Sequence, residues 1–345
     1  MNFMHKLRET NKTFVIAEIG QNHQGDINIA KELIKIAKEC GADCAKFQKT
    51  CLTEKFTVSG LNRPYKSVNS WGDTYGAHKA YLEFSHEEFI ELQNYAQEIN
   101  ILLTASAMDP ESLNFLKEIT VPFIKIGSGD SNNLLLIEQA ALTGIPLVIS
   151  TGMINFDTVK RIYDLVSKYH NNFALLHCVS AYPTPYENIN LNVLNAYIKE
   201  FPDIVIGYSG HEIGIQPTVC AVAIGAKIIE RHITLDKKQK GSDHNCSLEP
   251  PELKQLIDQI RSIELAMGDS IKQIQNCELS CYEKLGKSLV YAFDFSKGHK
   301  LKKDDLKIKV SYPKGLDGLL FDEVVGKNIN CNVKSDDPVL SEQFS

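Results

Sequence analysis

The strongest constraint on this chain is a rhythm in which a short apolar run is followed by an amphipathic stretch, eight times in succession. The runs are Thr13–Glu18, Asp43–Phe47, Ile101–Ala105, Phe123–Ile126, Pro146–Ser150, Phe173–Cys178, Ile204–Tyr208 and Lys227–His232. Most are continuously apolar, as parallel strands are when helices cover both faces of the sheet. In Ile27–Cys40, Ile29, Leu33, Ile36 and Ala37 fall on one helical stripe. His86–Glu98, Pro110–Glu118, Leu134–Leu142, Phe156–Tyr169, Asn190–Lys199, Ile215–Ile224 and Pro251–Met267 complete the helical set. Eight βα units in roughly 270 residues predict an α/β chain closed into a (β/α)8 TIM barrel. A doubly wound sheet rarely repeats so evenly.

Two stretches break the rhythm. Residues 48–85 separate the second strand from its helix and carry Asn62-Arg63-Pro64-Tyr65 and the only tryptophan, Trp71. A connection this long is expected to be a lid, a binding loop or a surface insertion. Beyond the barrel, over 1–270, a polar linker at 271–287 leads to a small β-rich domain at 288–345, with strands expected at Ser288–Phe293, Leu306–Val310 and Lys327–Asn332. That tail has nine lysines, nine acidic residues and no arginine, so it is locally neutral.

Composition narrows the function classes. With 37 basic against 43 acidic residues the net charge is -6, which carries no nucleic-acid or anionic-membrane footprint. No run of 18 apolar residues exists to span a membrane. Met1 to Lys12 lacks the apolar core of a signal peptide. The nine cysteines include Cys40/Cys44 and Cys277/Cys281, but no CxxC pair of the kind a zinc site uses. Free thiols in a reducing cytoplasm are the expectation.

Active sites of such barrels lie at the C-terminal ends of the strands, and here every end is polar. Strand one gives Glu18 before Gly20-Gln21-Asn22-His23, strand two Lys46 and Gln48, and strand three Thr104 and Ser106. Strand four gives Lys125 and then Ser128 and Asp130, and strand five Ser150. Strand six gives Cys178, Ser180 and Tyr182, strand seven Ser209 and His211, and strand eight Glu230-Arg231-His232. Lys46 and Lys125 sit in otherwise apolar runs, where an unpaired ammonium is costly. Together with Ser128 and the glycine amides they form a cradle for a phosphate or carboxylate. A Schiff-base lysine is the competing use. His211 and His232 end neighbouring strands and suit a divalent metal, with Mn2+ or Mg2+ favoured over structural zinc by so few protein nitrogens. Glu18 and Asp130 are placed to orient water, and Asp243 is a further carboxylate at the rim. His23, His78 and His177 have no partner by spacing.

These same stretches resemble the sialic acid synthases. The motifs are Ile16-Ala17-Glu18-Ile19-Gly20-Gln21-Asn22-His23, Lys46-Phe47-Gln48, Lys125-Ile126-Gly127-Ser128-Gly129-Asp130, Ser150-Thr151-Gly152-Met153, Tyr182-Pro183, Gly207-Tyr208-Ser209-Gly210-His211 and Glu230-Arg231-His232-Ile233-Thr234. The likeness runs from Thr13 onward, and the tail resembles the antifreeze-like (SAF) domain of that family. Lys240-Gly241-Ser242-Asp243-His244, Asn62-Arg63-Pro64-Tyr65 and Glu283-Lys284-Leu285-Gly286-Lys287-Ser288 resemble the animal branch, which takes a phosphorylated sugar where bacterial members take the free one.

The resemblance implies condensation of phosphoenolpyruvate with N-acetylmannosamine 6-phosphate and water, giving N-acetylneuraminate 9-phosphate and phosphate. It assigns Lys46, Lys125, Ser128, Ser150 and Ser209 to phosphoenolpyruvate and His211 and His232 to Mn2+ or Mg2+. Glu18 and Asp130 go to proton and water handling, and Tyr182 and Asp243 to the sugar, with Gln48 and Ser180 in the same binding set. It also implies a homodimer in which the tail of one subunit covers the partner's active site. The chain departs from the bacterial pattern in three places. Asp130 replaces a glutamate. Ala105 replaces a threonine, leaving Thr104 or Ser106 to serve. No tail arginine exists, leaving Lys314 as its stand-in. A sugar phosphate needs one more cation, for which Arg63, Lys66 and Lys79 are the suppliers at hand. A catalytically dead adhesion protein would have no use for so complete a rim.

Overall fold

The structure, a computed structural model, describes residues 3–344. The chain divides into two compact units, Met1–Gly268 and Asp269–Ser345. In the first, eight parallel strands close in chain order: β1 (Phe14–Gly20), β2 (Cys44–Lys49), β3 (Leu102–Ala107), β4 (Ile124–Ile126), β5 (Leu147–Ser150), β6 (Phe173–Cys178), β7 (Val205–Gly210) and β8 (Ile228–His232), with β8 pairing back on β1. The expected barrel is therefore present. Its helices start where local chemistry starts them. Asp26 accepts from the amides of Asn28 and Ile29, and Ser85 and Glu88 form a reciprocal capping box at His86–Glu98.

Strand alternation sorts the side chains into two cores. Outward-facing residues such as Val15, Ala17, Ala45, Ile149, Leu175 and Ile229 pack against the helices. Inward-facing Phe14, Ile16, Cys44, Phe123, Val148, Leu176 and Ile228 fill the barrel's lower half. The helix Phe3–Glu9 closes that end, putting Met4 and Leu7 into the inner core. Phe3 sits edge-on to Phe14 at 5.4 Å and stacks on Phe123 at 5.8 Å. With the lower half filled and plugged by the described residues, the upper end remains for a ligand.

Residues 48–85 are not structureless. Short helices at Leu52–Lys55, Val58–Asn62 and Tyr75–Leu82 stiffen them, and Trp71 stacks on Tyr81 at 4.6 Å. The second unit pairs β9 (Ser288–Tyr291) with β10 (Leu306–Lys309) in antiparallel fashion. The third expected strand, Lys327–Asn332, does not form. Its residues make isolated bridges, Lys300 to Asn328 and Ile329 to Phe344, because the tight turns flanking it leave no continuous edge to extend. A short helix, Leu279–Leu285, occupies part of the expected linker.

Met4 is 1% exposed in the plug. Met4→Ala is expected to cost about 2–5 kcal/mol through lost contacts and a residual cavity. The urea midpoint should fall while steady-state constants stay unchanged, since the plug lies at the far end from the open mouth. A loss below about 1 kcal/mol would show that the barrel base does not depend on it.

Candidate active site

Above the apolar layers, alternation brings one inward side chain per strand to a common level: Glu18, Lys46, Ser106, Lys125, Ser150, Cys178, Ser209 and Glu230, all buried. Lys46 Nζ lies 2.6 Å from Glu18 Oε2, 3.2 Å from Ser106 Oγ and 3.7 Å from Glu230 Oε1. Lys125 Nζ lies 3.8 Å from the same Glu230 oxygen and donates to Ser150 Oγ at 2.8 Å and to the Ile126 carbonyl at 3.1 Å. The two lysines are thus not a bare cationic cradle. They are interleaved with two carboxylates, and Glu230, expected at the end of strand eight but given no role there, bridges them. The sequence did hold a signal for it, since Glu230 precedes His232 by two residues on one strand and so shares its face.

Burial and charge act differently on the two acids. Burial pushes Glu18 up to about 7, with Glu230 adding to the rise and Lys46 opposing it. Burial alone would also raise Glu230, but Lys125 and Lys46 outweigh it and hold this carboxylate below its usual range. Near neutrality Glu18 therefore shares a proton with its surroundings while Glu230 stays ionised. The layer gains positive character by protonating Glu18, which suits an arriving anion.

A cavity of about 390 Å³ opens above this layer. Its walls include Glu18, Lys46, Gln48, Ser106, Lys125, Ser128, Ser180, Tyr182, Ser209, His211, His232 and Asp243. Gln48 Nε2 donates to Glu18 Oε1 at 3.3 Å. Ser128 Oγ accepts from the Gly152 amide at 3.0 Å. A side chain at Gly152 would collide with Ser180 and Ser128 Oγ, which explains the glycine there. Ser150 acts one step back, on Lys125.

With Ser150, two further expected residues of the barrel unit, Thr104 and Asp130, stand apart from these walls. Thr104 turns its hydroxyl onto the Phe123 carbonyl and is fully buried, so of the two candidates only Ser106 reaches the cavity. Asp130 faces Lys55, Asp109 and Asn133 outside the lining, with burial raising its carboxyl. Lys314, in the second unit, donates to the Tyr282 carbonyl at 2.7 Å and sits 3.5 Å above that ring.

His211 and His232 do come together, with ring centroids 5.3 Å apart. His211 Nδ1 is 3.1 Å from the Val179 carbonyl, which can only accept, so the proton sits there and Nε2 keeps its lone pair. Burial and His232 push His211 down to about 4. Burial lowers His232 as well. Its Nδ1 is buried without a hydrogen-bond partner among the described residues, 4.0 Å from Asp243 Oδ2. Two neutral imidazoles side by side, one with an orphaned ring nitrogen, fit a divalent cation. Among the described residues no cluster of three or more ligating side chains surrounds them, so other oxygens would fill the shell. Behind the rim, the buried Arg231 binds Glu212 Oε1 and the Gly214 carbonyl at 2.9 Å each, and Tyr208 OH donates to Glu212 Oε2 at 2.8 Å. This network fixes the loop that carries His211.

Fold and mouth together define a (β/α)8-barrel enzyme built to hold an anion beside a metal-ready histidine pair. The NeuB family profile matches residues 33–272, and the chain belongs to that family. It is 53% identical over 95% of its length to human N-acetylneuraminate-9-phosphate synthase, covering 92% of that protein. It is 47% identical to the Drosophila melanogaster protein of the same name, over 96% of this chain and 95% of that one. Among solved structures it resembles the N-acetylneuraminic acid synthetase of Leptospira borgpetersenii at 34% identity, with a TM-score of 0.68 over 79% of this chain and 90% of that one. The resemblance to sialic acid synthases read from the motifs is borne out.

His23 is a structural histidine. It stacks on Phe84 at 4.2 Å, accepts from the Gly25 amide, and is pushed down to about 3 by burial. Below its ordinary 6.5 the unfolded chain takes up a proton that the folded chain refuses, so stability is present above 6.5 and lost on acidification. Between pH 7 and 5 this residue should remove about 2 kcal/mol of unfolding free energy. Denaturant titrations at both pH values should show a correspondingly shallower loss in His23→Gln. Equal slopes would contradict the assignment.

Proposed function

We propose that the chain condenses phosphoenolpyruvate with N-acetylmannosamine 6-phosphate and water, releasing N-acetylneuraminate 9-phosphate and inorganic phosphate in sialic acid biosynthesis. The observation that carries the reading is the buried Lys46–Glu18–Glu230–Lys125 layer directly below the His211–His232 pair. Lys46 and Lys125, with Ser106, Ser128 and Ser209, bind the phosphate and carboxylate of phosphoenolpyruvate, and Ser150 fixes Lys125. Because Lys125 already directs donors to Ser150, Ile126 and Glu230, it acts as an ammonium grip rather than an imine former.

His211 and His232 hold Mn2+ or Mg2+, which when bound polarises the open-chain aldehyde of the sugar. Tyr182, Gln48, Ser180 and Asp243 line the sugar's side of the cavity. The Tyr182 ring lies 4.2 Å from that of His211, tilted by 44°. The walls align carbon 3 of phosphoenolpyruvate with the aldehyde carbon, and such alignment supplies up to roughly 7–11 kcal/mol of a barrier. As the new bond forms, positive charge develops at carbon 2. Glu18, whose raised pKa lets it both take and return a proton near neutrality, directs water to that carbon. The tetrahedral adduct then expels phosphate, with the lysines balancing its charge. Asp130 has only an indirect part in this scheme.

The second unit is read as the antifreeze-like domain of a homodimer, laid over the partner's active site. For Lys314 to reach substrate there it has to exchange Tyr282 for it. A cytoplasmic location fits the free cysteines. Among the described residues no helix is long and apolar enough to cross a membrane.

The test is phosphate release from phosphoenolpyruvate with either N-acetylmannosamine or its 6-phosphate, with and without added Mn2+. Release should require an acceptor sugar and Mn2+ or Mg2+, and fall at least about 100-fold after chelation. Full activity in excess chelator, or release without any sugar, contradicts the proposal.

A further inference from the structure

Beside the main cavity lies a second one of about 120 Å³, walled by the long connection after β2. The two share Gln21, Gln48, Tyr75, Lys79 and Met108, so they are continuous. The side cavity adds Lys55 and Phe56 from the connection's first turn. Both lysines are half-buried, and neither makes an ion pair among the described residues. Lys79 Nζ donates to the neutral Gln21 Oε1 at 2.8 Å. Among the described residues the only hydrogen-bond acceptor of Lys55 Nζ is the Met108 thioether at 2.8 Å, with the Phe56 ring 5.6 Å away, and sulfur is a weak acceptor.

Nearby carboxylates are engaged elsewhere. Glu83 accepts from Lys49 Nζ at 2.7 Å and from the Thr50 amide. Asp109 accepts from the Cys51 amide and from Ser112. Asp243 accepts from Ser242 and faces Lys79 without an ion-pair contact, and Asp130 likewise faces Lys55, with Asn133 bonded to its carboxylate. Burial lowers both lysines, and the carboxylates facing them, Asp130 for Lys55 and Asp243 for Lys79, oppose that shift without reversing it. Two partly desolvated cations with inadequate acceptors, in a recess opening into a substrate cavity, call for an oxyanion. Of the cations the sequence suggested, Arg63 is exposed and lies 3.9 Å over the Tyr75 ring, and Lys66 is exposed. Lys79 stands, and Lys55 is new.

We propose that Lys55 and Lys79 seat the phosphate at the far end of the acceptor sugar, making this recess the element that selects a phosphorylated amino sugar over the free one. The inference rests on the reading of the main cavity as the place where phosphoenolpyruvate meets that sugar. The lysines of the barrel layer serve the enol phosphate, and the recess serves the second phosphate, so the two anions do not compete for the same cations. The long connection is then a specificity element rather than a lid.

The paired variant Lys55→Met/Lys79→Met removes both charges and keeps side-chain length. Its kcat/KM for N-acetylmannosamine 6-phosphate should fall at least about 100-fold, with less than about threefold change for free N-acetylmannosamine and in the KM for phosphoenolpyruvate. The Lys55→Arg/Lys79→Arg pair should recover most of the loss. Equal falls for both acceptors, or no fall, would overturn the assignment. Calorimetric titration with N-acetylmannosaminitol 6-phosphate, which lacks the reactive aldehyde, separates this inference from the reaction itself. If the unaltered protein consumes neither sugar, the proposed function fails, yet binding of this probe that is lost in the Met pair still supports the recess. Binding unchanged in the Met pair overturns it. Should the Met pair not fold, the same comparisons are made with single Lys55→Met and Lys79→Met.

Discussion

Everything at the mouth of this barrel depends on four ionisable groups that share one buried level: Lys46 on Glu18, and Glu230 between Lys46 and Lys125. An unpaired ammonium at these positions would cost several kcal/mol to desolvate. The interleaved carboxylates Glu18 and Glu230 raise Lys46 against burial, while burial lowers Lys125 with Glu230 opposing it. The arrangement is tight at one end and loose at the other, with 2.6 Å between Lys46 and Glu18 against 3.7 and 3.8 Å to Glu230. A ligand anion can replace the long contacts without first breaking the short one.

The fold sets this layer up from both directions. Below it, the aromatic and aliphatic plug closes the barrel base, so the charges sit on a dry floor where electrostatic interactions are strong. Above it, Gly20 adopts a φ of +55° and leaves room where a side chain would crowd Glu18, Gln48 and His232. Arg231, on the outer face of β8, clamps the loop after β7 through Glu212. Successive residues of one strand thus serve opposite ends: Glu230 and His232 face the chemistry, and Arg231 fixes the scaffold behind it.

Much of this was legible in the sequence, and the reasons are specific. Ile27–Cys40, His86–Glu98, Pro110–Glu118 and Leu134–Leu142 appear with the bounds expected, because Asp26, Ser85, Asp109 and Asn133 cap them. The strands run further than expected, to Gly20, Lys49, Ala107 and Gly210. Their polar ends look like loop in a sequence but are inward strand positions in a closed barrel. Glu230 is visible in the sequence at a strand end, but its role is not, because a pairing with two lysines from β2 and β4 is a property of closure, not of spacing. The short helices of 48–85 carry too little apolar periodicity to be seen, and Lys55 gains its meaning only from the cavity it borders. Thr104 and Asp130 show the opposite limit: Thr104 lies within β3, below Ser106, and turns its hydroxyl onto the Phe123 carbonyl, and Asp130 ends a tight turn beyond β4 and faces Lys55 and Asn133.

The account stands or falls on whether the charge layer grips the enol phosphate. Its most direct test is calorimetric titration of phosphoenolpyruvate, without sugar, into the unaltered protein and into Lys125→Met, with thermal melting as a control for folding. The Kd in the variant should be weaker by about 100-fold or more, as expected on removing one partner of a buried charged contact. An unchanged Kd in a folded Lys125→Met protein would contradict it.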